Sequence, residues 1–123
     1  MKAMNNAVWC LYFQRKPNTL GDDLENDFET PIAFKAKRET LTKRTATIGG
    51  MVASATATYF DTYDLPLLSS EIKKDDVVMI GTKRDNQKVW RVQSVELIDT
   101  VFAVMPKDEQ DFERKCLKRI EVM

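Results

Sequence analysis

A chain of 123 residues is long enough for one modest core and too short for two, so it reads as a single domain. Hydrophobic residues make up 43% and charged residues 31%, the balance of a folded domain with a wet surface. Nineteen Lys and Arg offset nineteen Asp and Glu, which excludes a global field attracting nucleic acid or an anionic membrane; any polyanion contact must come from local clustering.

The N-terminal segment Ala7 to Arg15 carries Val8, Trp9, Cys10, Leu11, Tyr12 and Phe13 in a row. Its aromatic enrichment and the stop at Lys16-Pro17-Asn18 favour a strand, because proline cannot continue a ladder. Residues 18 to 29 are acidic, contain Gly21 and read as an exposed loop with room for a short helical turn. Its carboxylates Asp22, Asp23, Glu25, Asp27 and Glu29 lack the ligand order of a calcium loop, so they read as a solvated face.

Pro31 to Arg38 alternates Ile32, Phe34 and Ala36 against Ala33, Lys35 and Lys37, the period-2 signature of a strand with one wet face. Leu41 to Ile48 continues with β-branched threonines. Gly49-Gly50 then supplies a turn or bulge. Met51 to Thr62 is again small and β-branched, and Leu65, Leu67 and Leu68 suit the covering of an open core end.

Val77 to Ile80 is a short apolar run ending at Gly81, followed by a polar turn centred on Asp85-Asn86 and by Val89 to Glu96. This predicts a β-hairpin with Trp90 and Val92 on one face and Val89, Arg91, Gln93 and Val95 on the other. Trp90 is the natural core anchor. Ile98 to Met105 predicts a further strand, closed by Pro106. In the tail, Phe112, Cys116 and Ile120 at four-residue spacing predict an amphipathic helix over 108–119; Ile120 and Val122 alternate, so a sheet-closing strand stays open. About six short strands without alternating helices predict a mainly β fold: a small antiparallel barrel or sandwich with a long mid-chain loop and a C-terminal helix.

Cys10 and Cys116 lie near opposite ends of the sequence and read as reduced, buried thiols. No apolar run approaches the roughly 18 residues of a membrane span, and residues 1–16 lack a signal-peptide pattern, so a cytosolic, membrane-free protein is expected. The chain contains no histidine, which removes the commonest general base and metal ligand. No phosphate loop and no zinc spacing is present, so no catalytic, metal or cofactor-binding set emerges and an enzyme is not expected.

One segment stands out. Lys35, Lys37, Arg38, Lys43 and Arg44, against the single acid Glu39, lead into the small residues of Thr45 to Gly50. The plain reading is a solvated strand face; the functional one is a loop that touches phosphates without reading bases. The aromatics Trp9, Tyr12, Phe13, Phe34, Tyr59, Phe60 and Trp90 divide likewise between core packing and base stacking.

The order of parts resembles the head-closure (stopper) or head–tail joining proteins of tailed phages and prophages. The resemblance rests on the aromatic strand ending in Gln14-Arg15-Lys16, on the mid-chain basic segment, on Ile72-Lys73-Lys74-Asp75-Asp76-Val77-Val78 as a strand entry, and on Val89-Trp90-Arg91-Val92-Gln93-Ser94-Val95 as a hairpin return. Where that family has a glycine-rich turn, this chain has Lys83-Arg84-Asp85-Asn86. The resemblance implies a non-enzymatic, cofactor-free β-barrel that forms a homo-oligomeric ring. Its partners would be portal or adaptor on one side and tail-completion proteins on the other. It makes the Lys35 to Gly50 loop the channel-facing, DNA-touching segment and Lys83 to Asn86 the partner-contact turn. It places the protein in the host cytoplasm during assembly and then in the virion. The alternative is a monomeric nucleic-acid-binding barrel of the oligonucleotide-binding type.

Overall fold

Alternation of apolar and polar residues is satisfied by strands that turn one face to a common centre, and six of them do so. In the computed structural model, residues 6–48, 51–81, 88–98 and 108–123 are described, with the backbone alone at 43–48, 51–54 and 115. The strands are β1 (Val8–Phe13), β2 (Ile32–Ile48), β3 (Met51–Thr62), β4 (Val77–Ile80), β5 (Val89–Ile98) and β6 (Leu117–Val122), with one helix, α1 (Glu109–Lys115), before β6. They close an antiparallel barrel in the order β1-β2-β3-β6-β5-β4. Closure leaves no open sheet edge around the barrel wall.

The barrel interior takes Cys10 and Tyr12 from β1, Phe34 and Ala36 from β2, Phe60 from β3, Val78 from β4, Trp90 and Val92 from β5, and Ile120 and Val122 from β6. Leu65, Leu67 and Ile72 join this cluster, so two of the three leucines expected to cover the core do so, and Leu68 stays half-buried outside it. Trp90 meets Phe60 edge-on at 5.3 Å between centroids, the offset geometry that aromatic quadrupoles favour. The expected faces of the β4–β5 hairpin hold as far as Val92, with Val78 opposite Trp90 and Met79 opposite Val89. Val95 departs from them: the register shifts between Val92 and Ser94, so Val95 pairs with inward Ile120 and packs against the core instead of sharing the outer face of Val89 and Arg91. Gly81 ends β4 with φ of 101° and donates its N–H to Trp9 O at 2.8 Å. A side chain there would be strained.

A second apolar cluster lies on the outside. Leu11 and Phe13 of β1, Val77 and Met79 of β4, and Phe28 pack together, with Leu24 against them. The acidic segment is therefore more than a solvated loop. It folds back on the barrel wall through Lys16 N–H to Asp27 O (2.9 Å) and Glu29 N–H to Gln14 O (2.8 Å). Phe28 is buried beneath it, with the Arg15 guanidinium 4.5 Å from its ring centroid. The apolar run of β1 is explained from Cys10 to Phe13, where the strand is covered on both faces; Val8 and Trp9 at its start stay exposed.

Two expectations need correction. The mid-chain segment is no loop: β2 runs unbroken from Ile32 to Ile48 and pairs with β3 from Lys37↔Asp61 out to Ile48↔Met51, with one irregularity between Arg44 and Thr47. Its β-branched threonines suit an extended backbone. In the tail, the helix stops at Lys115, Cys116 turns extended, and β6 follows. Lys118, Ile120 and Val122 alternate inward between β3 and β5, and burial at period 2 outweighs a helix of seven residues, which is marginal in water. Asp108 caps that helix, accepting from Asp111 N–H at 2.7 Å. The strand expected over 98–105 falls, after Ile98, outside the described residues. Both cysteines are buried thiols outside any disulfide; burial pushes the Cys10 thiol up to about 11. Among the described residues no helix is long and apolar enough to cross a membrane.

Candidate functional site

The barrel uses only the first part of β2 and the last part of β3. β1 pairs with β2 as far as Val8↔Ala36, and β6 pairs with β3 no further out than Thr58↔Val122. Beyond these limits, among the described residues, β2 and β3 pair only with each other. From the pair Leu41↔Ala57 outward they form a two-stranded arm of about 25 Å, at roughly 3.3 Å per residue. Leu41, Thr42, Ala55 and Thr56 on it are exposed.

The five sequence-selected cations lie along this strand, and the described ones do not converge. Lys35 sits on the outer face with its Nζ 5.1 Å from the centre of the Trp9 ring, and that ring is 49% exposed. Lys37 pairs with Glu39 at 3.0 Å. Arg38, of the opposite parity, lies with its guanidinium carbon 5.6 Å from the Trp90 ring centre, and Lys88 Nζ is 5.1 Å from the same ring. Lys43 and Arg44 stand on the arm opposite Ala55 and Ser54. The turn Lys83, Arg84, Asp85, Asn86 lies outside the described residues.

The arm's root is clamped by a network spanning three strands. Arg119 on β6 donates from Nε and Nη2 to the two oxygens of Asp61 on β3 at 2.9 and 3.0 Å, the forked geometry that suits guanidinium and carboxylate. Its Nη2 is also 3.6 Å from Glu39 on β2, and its guanidinium lies 5.7 Å from the Tyr59 ring centre. Asp61 is buried, so this pair is more than a surface decoration. The hydrogen bond to Asp61 raises the Arg119 pKa further, and the Lys37 hydrogen bond, aided by Arg119, lowers that of Glu39. Glu39, Asp61 and Arg119 are the residues that sequence reasoning missed. Nothing local joins them; only the β2–β3–β6 register does.

A second polar centre holds the root of β4. Asp76 is buried and accepts from Tyr12 Oη at 2.6 Å, Arg15 N–H at 2.9 Å and Lys73 N–H at 3.1 Å. Outside it, Arg91 and Arg15 both reach Asp22. These contacts tie strand entry, hairpin return and the outer loop into one frame.

No family model, no curated protein and no solved structure matches this chain.

Proposed function

We propose that this protein is a non-enzymatic virion connector of the head–tail joining type, a ring-forming barrel that sits between portal or adaptor and tail-completion proteins. The observation that supports it is the arm: a ribbon that leaves a closed barrel, whose described side chains add nothing to its core, and that is mounted on it by Arg119, Asp61 and Glu39. A two-stranded ribbon is at most marginal alone in water. A chain keeps one for what it reaches. In a ring the arms of all copies face a common axis, and Lys43 and Arg44 on each arm contribute to a cationic collar that meets packaged DNA by phosphate contact alone. Near-zero net charge fits the association of identical subunits. The protein then resides in the host cytoplasm during assembly and at the head–tail interface of the finished particle.

One observation favours the alternative, a monomeric nucleic-acid-binding barrel: Trp9 is half exposed with Lys35 over its ring, a stacking surface beside a cation. Light scattering across a wide concentration range, with and without short duplex or single-stranded DNA, separates the two. The connector reading expects concentration-dependent rings, or a monomer indifferent to free DNA. A monomer that binds DNA tightly, releases it with salt and loses binding on Trp9→Ala moves the alternative to first place.

A further inference from the structure

We infer that the cleft of about 410 Å³ beside Lys118 binds a carboxylate, carried either by a small aliphatic acid or by the C-terminus of a peptide. The site lies past the end of the β3–β6 ladder opposite the arm, where Thr62 pairs with Lys118. Alternation along β6 turns Lys118 inward with Ile120 and Val122, and its residue exposure is 1%. Lysines are almost never buried to that degree unless paired. Here the hydrogen bond found among the described residues is a long one, Nζ to Leu65 O at 3.4 Å. Among the described residues no carboxylate forms an ion pair with it.

The acids around the cleft are already engaged. Asp64 accepts from Lys35 N–H and Thr62 Oγ1, each at 3.0 Å. Glu71 accepts from Leu68 N–H at 2.9 Å, and Glu113 from Ser69 Oγ at 2.7 Å. Burial pushes the Lys118 ammonium down, and the more distant charges of Glu113 and Asp64 work against that without meeting it. A buried ammonium with spare donors costs free energy that an entering anion would recover through charge-assisted bonds. Arg114 lines the same cleft and adds a second cation, while Leu65, Pro66 and Leu67 give it aliphatic walls. The combination suits a carboxylate on a short branched body. This site is independent of the assembly reading.

The test is an amide NMR titration of the full chain with isobutyrate and, separately, with isobutyramide, which has the same shape without the charge. A short peptide ending in valine, with a free or an amidated C-terminus, forms the second arm. Saturable shifts at Leu65, Leu67, Leu68 and Lys118 with isobutyrate but not with isobutyramide are expected. In Lys118→Met, which keeps length and loses charge, affinity should fall by about tenfold or more, because a charge-assisted bond is lost. Tighter binding of the free-acid peptide, abolished by amidation, supports a protein C-terminus as the source; equal or tighter binding of isobutyrate supports a small acid. Lack of saturation by either carboxylate overturns the proposal, as does equal binding of acid and amide. So does unchanged affinity in a natively folded Lys118→Met. If that variant does not fold, Arg114→Met and the acid–amide comparison on the native chain still decide.

Discussion

Asp76 carries three donors on one buried carboxylate, so its loss reaches further than a single contact. Asp76→Ala leaves Tyr12 Oη and the Arg15 and Lys73 N–H groups without their partner, and urea unfolding should show a loss on the order of 3 kcal/mol at unchanged slope. Asp76→Asn keeps the shape and should lose less. Cys10 gives a pH signature. Its thiol ionises near 9.0 when exposed and about 11 when buried, so the fold favours the protonated form. That contribution is complete below pH 9 and is lost as pH rises from about 9 towards 11. Tyr12, raised by burial and by its bond to Asp76, steepens the same limb. Thermal midpoints measured from pH 7 upward should fall on that limb, and Cys10→Ala should make the fall shallower. Native protein should also react slowly with a thiol reagent at neutral pH, and denatured protein quickly.

At the scale of elements, the arm and the barrel should separate in their responses. Replacing residues 42–56 by Asn-Gly leaves Leu41 and Ala57 flanking a two-residue turn. The expected product melts cooperatively with barrel stability close to the parent, and a large drop would show that the arm braces the core. Arg119→Ala removes the partner of buried Asp61 and should cost about 2 kcal/mol, less than a fully buried pair because Arg119 is partly exposed. Arg119→Lys should recover part of it, since charge survives and the fork does not. The elements that were legible in advance were those whose period-2 pattern met a core: β4, β5 with Trp90 and Val92 inward, and the start of β2. β6 was obscured because Phe112, Cys116 and Ile120 also fit a helical spacing, and the choice was made by β3 and β5 flanking it. The root of the arm was invisible for a similar reason: Asp61 and Arg119 are joined by register, which a linear sequence does not print.

For the whole molecule, the strand order β3-β6-β5 puts the last strand between two that precede it. Until residues 117–122 leave the ribosome, β3 and β5 each present an unpaired edge to the cell, and the ring of strands is broken. Closing it also requires β1 to find β4, with Cys10 pairing to Ile80 across most of the chain. Such distant pairings make for slow folding, on the millisecond-to-second scale typical of barrels. The protein is therefore made as a sticky open sheet and hides its strand edges only when β6 slots home, so a premature stop before residue 117 should yield aggregate in place of a shorter barrel.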